Sequence, residues 1–232
     1  MVTIARQFNG PPGSGNGGYA SGVIAAGIEH DGPVEVRLTT PPPLDTPLTY
    51  EHDHDEVRLV THGGALVGHA RPGGFLRDAP RFASAEEIAA GAAGYPGFEH
   101  HPFDLCFTCG TQRGEGDGLR IFSGPIGDGL TAAPWDAHAG FAGENGAIDE
   151  PVTWAALDCP GGWAADFSQQ PMLLGTMTAE VYAVPAAGQR YHAVGQLDRR
   201  EGRKFFTSTA LYTPEAQLVG RAEQVWIEID LG

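Results

Sequence analysis

Two cysteines at metal-ligand spacing form the most distinctive chemical pattern in the chain. Cys106 and Cys109 are separated by two residues, and His100 and His101 precede them. Such a set suits zinc, but a structural zinc site usually takes four ligands, and Cys159, the third cysteine, is distant in sequence. A redox role for a C-x-x-C pair would need a thioredoxin-like context, which is missing. We therefore expect no metal site.

A glycine-rich turn is the second candidate. Residues 9–18 include Asn16, Gly17 and Gly18, and an apolar run from Tyr19 to Ile28 follows, long enough for about three helical turns. Unpaired N–H groups at the start of a helix, reinforced by its dipole, can stabilise an anion or an oxyanion. The turn lacks the Gly-Lys-Ser/Thr sequence of a nucleotide-binding loop. An ordinary turn with a helix cap is the alternative interpretation.

The densest basic run contains Arg199, Arg200, Arg203 and Lys204. It is predicted to end a hairpin, where it could bind phosphates at the mouth of a site. A solvated turn is the alternative.

The chain also lacks a Gly-x-Ser-x-Gly elbow, which argues against a serine hydrolase.

The pattern of apolar residues predicts a helix followed by antiparallel strands, twice. In the first 72 residues the helix precedes strands at 34–38, 48–50, 56–61 and 65–70. A connector follows, with a short helix opened by Ser84 and Glu87 at capping-box spacing. Later strands are predicted at 119–122 and 130–133, then a helix over 150–167 interrupted near Pro160, then strands at 173–184, 191–197, 204–212 and 218–229.

Short sequence echoes favour a duplication. Leu66-Val-Gly-His-Ala70 matches Leu218-Val-Gly-Arg-Ala222, each in the last strand of its part. We predict an N-terminal half at residues 1–75, a connector at 76–105 and a C-terminal half at 106–232.

Composition excludes several functions. The 232 residues are 41% apolar, and 14 basic against 29 acidic side chains give a formal charge of −15. This charge disfavours nucleic acids and anionic membranes as partners. No apolar stretch of about 18 residues predicts a membrane span. With no apolar signal core at the N-terminus and few cysteines, we expect a cytoplasmic protein.

Several motifs resemble one family. Cys106-Phe-Thr-Cys109-Gly110, followed by Gly118-Leu-Arg-Ile-Phe122, resembles the opening of hotdog-fold acyl-CoA thioesterases of the PaaI-like group. Ala155-Ala-Leu-Asp158 with Gly162 is similar to the central-helix pattern of that group. Gly13-x-x-Asn16-Gly17-Gly18 is similar to its G-x-x-H-G-G, with Asn in place of His, and Arg221-Ala222 resembles the last strand. The resemblance covers most of the chain.

This resemblance implies an α+β double hotdog, in which two tandem helix-wrapped antiparallel sheets pack as a pseudo-dimer. The first-half helix has Ala25 or Ala26 where the family carries its acid, and the second half has Glu150-Pro151 where the Gly-Gly turn should be. In hotdog dimers one subunit supplies the turn and the other the acid. The fused chain is therefore expected to keep one composite site.

The function implied is hydrolysis of an acyl thioester, carried by coenzyme A or a carrier protein. Asp158 would act as general base or nucleophile, and Asn16 and Gly17 would bind the oxyanion. Substrate contacts would come from Gly18, from the basic run, and from Trp154 and Trp163, for which core packing is the alternative. Without the resemblance, Asp158 would be interpreted as a solvated or capping carboxylate.

The expected partner is a small-molecule acyl thioester, with no cofactor beyond the coenzyme A of the substrate. Homo-oligomerisation stays open. Two alternatives remain: a non-catalytic acyl or acyl-CoA binding protein, and a hotdog dehydratase or hydratase. The last usually needs a catalytic His near an Asp, and no helix bearing such a His is visible.

Overall fold

The computed structural model describes residues 1–143 and 145–230, which form four α helices and ten β strands. The helices are α1 (Gly17–Ala25), α2 (Ala85–Ala93), α3 (Glu150–Ala156) and α4 (Cys159–Ala164). The strands are β1 (Val34–Leu38), β2 (Leu48–Asp53), β3 (Glu56–Thr61), β4 (Leu66–Pro72), β5 (Gly124–Gly127), β6 (Leu130–Asp136), β7 (Met172–Val181), β8 (Arg190–Glu201), β9 (Lys204–Tyr212) and β10 (Leu218–Glu228). None of the helices described is long and apolar enough to cross a membrane.

All ten strands belong to one antiparallel sheet. Their order is β2-β3-β4-β1-β7-β10-β9-β8-β6-β5. The strand β1 pairs with β7 in the register Val34 with Ala179, and this pair joins the N-terminal strands to the C-terminal ones. The predicted α+β class, with a large antiparallel sheet and few helices, is confirmed.

The same strand order occurs on both sides of the β1–β7 pair. After α1, the four strands β1 to β4 lie in the order first, fourth, third, second, and after α4 the strands β7 to β10 do the same. The β5–β6 hairpin extends the second set beyond β8. At the matching edge of the first set, Val2 forms a bridge with Leu48 of β2.

Glycine at position 22 lets the helices α1 and α3 pack closely. A Cβ on Gly22 would lie 2.6 Å from the Cα of Pro151 and 2.9 Å from the Cβ of Trp154. No side chain fits between the two helices at that point. The apolar residues of α1, among them Ala20, Val23 and Ile24, are buried in the main core.

The predicted helix over 150–167 is divided earlier than expected. It breaks at Leu157 and Asp158, because Pro160 in the first turn of α4 has no N–H to donate back to the preceding turn. The carbonyl of Leu157, freed by the break, accepts hydrogen bonds from Thr209 Oγ1 at 2.7 Å and Gln224 Nε2 at 2.6 Å. Side chains of the sheet thus stabilise the break.

The strand predicted at 119–122 is wrong. Arg120 has a φ of 56°, in the left-handed region, which interrupts an extended backbone. The segment instead binds the cysteine loop, since the N–H groups of Leu119 and Ile121 donate to the carbonyls of Phe107 and Thr108.

The predicted capping box is confirmed, with Ser84 Oγ accepting from the N–H of Glu87 at 3.2 Å and Glu87 Oε2 accepting from the N–H of Ser84 at 2.8 Å.

We predict that Gly22→Ala lowers the free energy of unfolding by about 1–3 kcal/mol, because the added methyl group overpacks the α1–α3 contact. Chemical denaturation measures the change. Gly63→Ala is the matched control, since its Cβ would meet only Thr61 Oγ1 at 3.9 Å, and we expect it within about 0.5 kcal/mol of the parent. Equal effects of the two substitutions would contradict the close helix packing.

Candidate active site

The side chain of Asp158, at the break between α3 and α4, contacts the N-terminus of α1. Its Oδ2 accepts hydrogen bonds from the N–H of Gly18 at 3.0 Å and from Asn16 Nδ2 at 2.9 Å. The residue is only 2% exposed. Its Oδ1 is buried and has no hydrogen-bond partner among the described residues. The structure therefore brings together the acid and the turn that the sequence places 142 residues apart.

Glycine at position 18 makes this approach possible. A Cβ there would lie 2.5 Å from the Cβ of Asp158 and 2.7 Å from the carbonyl oxygen of Trp154. Gly17 is equally restricted, because its Cβ would lie 2.7 Å from the Cβ of Leu174. As the first residue of α1, Gly17 has an N–H with no acceptor within the helix.

Asn16 links the turn to the acid through both ends of its amide. As the N-cap of α1, its Oδ1 accepts from the N–H of Tyr19 at 2.8 Å. Its backbone N–H donates to the carbonyl of Phe8 at 2.8 Å. With the oxygen engaged in capping, the Nδ2 group is directed at Asp158. The predicted helix cap is confirmed, whereas the amide predicted to bind an oxyanion donates to Asp158 instead.

Burial raises the pKa of Asp158 to about 7. The hydrogen bonds from Gly18 and Asn16 act in the opposite direction, and the nearby Cys106 adds to the rise. A carboxyl group that gains and loses its proton near neutral pH has the property that acid–base catalysis requires.

A cavity of about 450 Å³ opens beside this contact, and Asn16, Gly17 and Asp158 lie in its wall. Its volume is within the range of small-molecule sites. One side is formed by the turn at residues 10–15 and by residues 38–42. The apolar remainder includes Phe103, Phe167, Met172, Leu174, Trp226, Ile227 and Ile229.

Trp154 and Trp163 do not belong to the cavity lining that the described residues form. Trp154 packs on Gly22 between α1 and α3, and Trp163 contacts the rings of Tyr95 and Phe167. Sequence reasoning missed Phe103, Phe167 and Trp226 as lining residues. Trp226 lies two residues after Gln224 on the same face of β10, and Gln224 donates to the carbonyl of Leu157 at the helix break, a contact that only the structure reveals.

The basic run lies at the predicted hairpin between β8 and β9, and none of its four residues belongs to the cavity lining that the described residues form. Arg200 donates to Gln170 Oε1 at 2.6 Å and to Glu228 Oε2 at 2.9 Å, and Arg203 donates to the carbonyl of Glu228. Glu228 lies between the lining residues Ile227 and Ile229. Arg199 pairs with Glu201 and stacks on Phe206, and Lys204 is exposed.

The three cysteines meet next to Asp158. Cys106 Sγ and Cys159 Sγ are 3.7 Å apart, and all three sulfur atoms lie within 4.8 Å of one another. All three are buried and reduced. Cys106 and Cys159 also line the cavity. Because Cys159 is distant from Cys106 and Cys109 in the sequence, the sequence gave no indication of this cluster.

Comparison with known proteins gives matches at the level of structure. No protein-family model and no curated protein matches the chain. A "putative thioesterase" from Novosphingobium aromaticivorans is similar at a TM-score of 0.59 and 15% identity, covering 99% of this chain and 94% of the other. The Escherichia coli PaaI protein of the phenylacetic acid degradation operon matches at 0.48 and 11% identity, over 64% of this chain and 97% of its own.

The first of these matches confirms the predicted resemblance to thioesterases at the level of the fold. It extends over nearly the whole of both chains. At 15% identity it identifies no substrate and assigns no residue a role.

We predict that Asn16→Ala destabilises the protein more than Asn16→Ser does. Serine keeps an N-cap oxygen, whereas alanine also loses the cap, which is worth about 1 kcal/mol. Both variants remove a donor from the buried carboxylate, at about 1–3 kcal/mol. Urea denaturation of the parent and both variants measures the difference. Identical stabilities of the two variants would show that the cap contributes nothing.

Proposed function

We propose that this chain hydrolyses acyl thioesters, carried by coenzyme A or a carrier protein, at one composite site between two hotdog halves. The observation that carries the proposal is the contact of Asp158 with the N-terminus of α1 in the wall of an apolar cavity. A carboxylate, helix N-terminal N–H groups and an apolar chamber are the parts that thioester hydrolysis requires.

The halves are those predicted from the sequence: residues 1–75, a connector at 76–105, and residues 106–232. The repeated strand order around the β1–β7 pair supports a double hotdog. The full-length likeness to a protein named as a "putative thioesterase" supports it further.

In this mechanism the acyl group occupies the cavity with its carbonyl oxygen near the N–H of Gly17. The oxygen gains negative charge as the carbonyl is attacked, and the helix N-terminus stabilises that charge. Asp158 takes a proton from the attacking water, and the thiol leaves with a proton. Asn16 and Gly18 donate hydrogen bonds to Asp158 and orient the carboxylate, so their contribution is to position the base.

Only one such site is expected in each chain. The sequence of α1 contains no acidic side chain, and α3 begins with Glu150-Pro151 in place of a pair of glycines. The position related by the repeat therefore lacks both the acid and the flexible turn. Because the two halves of a fused chain have separate sequences, the two positions related by the repeat are free to differ.

The decisive experiment is thiol release from a panel of acyl-CoAs of varied chain length, aromatic acyl groups included. We predict that Asp158→Asn lowers kcat by about 10²–10⁴-fold, the range for loss of a general base. Asp53→Asn is the matched control, because the Asp53 side chain is 79% exposed on β2, and it should leave the rate unchanged. Turnover that survives Asp158→Asn would remove Asp158 from the mechanism.

A non-catalytic acyl-CoA binding protein is the second candidate, and one observation favours it. The N–H of Gly18 and the amide of Asn16 already donate to Asp158, so these donors are satisfied within the protein. Calorimetric binding of acyl-CoA without thiol release, equal in the parent and Asp158→Asn, would support this candidate. A dehydratase has less support, since no histidine belongs to the cavity lining in the part of the chain described.

The basic run is proposed to bind the phosphates of coenzyme A at the rim. We predict that Arg200→Ala with Arg203→Ala raises KM for acyl-CoA about tenfold, equivalent to about 1.4 kcal/mol. The KM for the same acyl group on N-acetylcysteamine, which carries no phosphate, should stay constant. Arg190→Ala is the control, because Arg190 is exposed and paired with Asp136 at the far end of β8. Equal changes with both substrates would exclude a phosphate role.

A further inference from the structure

We propose that Cys106, Cys109 and Cys159 form a binding site for a thiophilic metal ion of the Zn²⁺ class. These are all the cysteines of the chain, and they converge on one buried point. The proposal does not depend on hydrolysis, because the ligands and the test are independent of turnover.

A tight turn brings the first two sulfur atoms together. The N–H of Gly110 donates to the carbonyl of Cys106 at 2.8 Å. A Cβ on Gly110 would lie 2.5 Å from that oxygen and 2.7 Å from the Cys106 nitrogen, so only glycine fits. Two cysteines separated by two residues within such a turn have the spacing of zinc ligand pairs. Cys159, at the first position of α4, adds the third sulfur.

The sulfur positions suit an ion at their centre. Two thiolates each about 2.3 Å from a tetrahedral zinc ion lie about 3.8 Å apart. The Cys106 and Cys159 sulfurs are 3.7 Å apart, and the third lies within 4.8 Å of both.

Two N–H groups lie close to the sulfur atoms. The indole N–H of Trp163 is buried and has no hydrogen-bond acceptor among the described residues. Burial raises the pKa of the Cys109 thiol, and the nearby Trp163 N–H acts in the opposite direction. The amide Nδ2 of Asn16 lies 3.7 Å from Cys106 Sγ. N–H groups that donate to ligand sulfurs are typical of the outer shell of a metal site.

Histidine is not required for the ligand set. The Nδ1 of His101 accepts from the N–H of Phe103 at 2.9 Å, and its Nε2 lies 3.1 Å from the carbonyl of Cys109. Both ring nitrogens are therefore occupied. Cys106 and Cys159 line the cavity, so a water molecule from the cavity can provide the fourth ligand. Three protein ligands with one open position are characteristic of accessible zinc sites.

The test is titration of the reduced, chelator-treated full-length protein with Co²⁺, followed by Zn²⁺. We expect one equivalent of Co²⁺ to produce intense sulfur-to-cobalt charge-transfer absorption, and Zn²⁺ to abolish it by displacement. Cys109→Ser should weaken Co²⁺ binding by more than about 100-fold, and Trp163→Phe by about 10–100-fold. His52→Ala with His54→Ala, which removes two exposed histidines, is the matched control and should change nothing.

Cobalt binding without sulfur charge transfer, or a spectrum unchanged in Cys109→Ser, would overturn the proposal. If the cysteine variant fails to fold by circular dichroism, the parent decides the question. Zn²⁺ should then protect all three thiols from alkylation, counted by mass spectrometry. Unprotected thiols at saturating Zn²⁺ would also overturn the proposal. Each readout stays interpretable if the protein shows no hydrolase activity.

Discussion

The hydrogen bonds between Asp158 and the N-terminus of α1 are the contact on which the rest of the site depends. Burying a carboxylate is unfavourable unless donors and positive potential replace the lost water. Gly18 and Asn16 supply the donors, and the helix dipole supplies the potential. Because no side chain fits at Gly18, the contact also fixes how closely the two helices approach.

The continuous sheet holds that contact in place. The pairing of β1 with β7 joins the two groups of strands in one register, and α1 packs on the first group while α4 packs on the second. Thr209 and Gln224, from β9 and β10, bind the carbonyl of Leu157 directly before Asp158. The position of the acid is therefore determined by the sheet as well as by its own helix.

The same helix break places Cys159 against Cys106. The Cys159 thiol is 4.0 Å from Asp158 Oδ2, and Asn16 Nδ2 is within reach of both Asp158 and Cys106. The acid and the sulfur cluster thus share one wall of the cavity and one amide side chain. A ligand bound at either position will alter the electrostatic environment of the other.

The sequence by itself determined the elements and the separate parts of the site. Periodicity located most strands, and Ser84 and Glu87 identified a helix start. The turn at Asn16 and the acid Asp158 were singled out by the resemblance to hotdog thioesterases. Local signals were sufficient because capping and strand alternation depend on residues close in the chain. They failed at 119–122, where the left-handed backbone of Arg120 overrides an extended pattern.

Only the tertiary structure decided what lies together. It brought Asp158 to Gly18, joined Cys159 to the C-x-x-C pair, and lined the cavity with Phe103, Phe167 and Trp226 while Trp154 and Trp163 entered the core. These outcomes depend on which faces of α1, α3 and the sheet meet. That choice is made by close packing between residues more than a hundred positions apart, such as Gly18 and Asp158, and no local pattern encodes it.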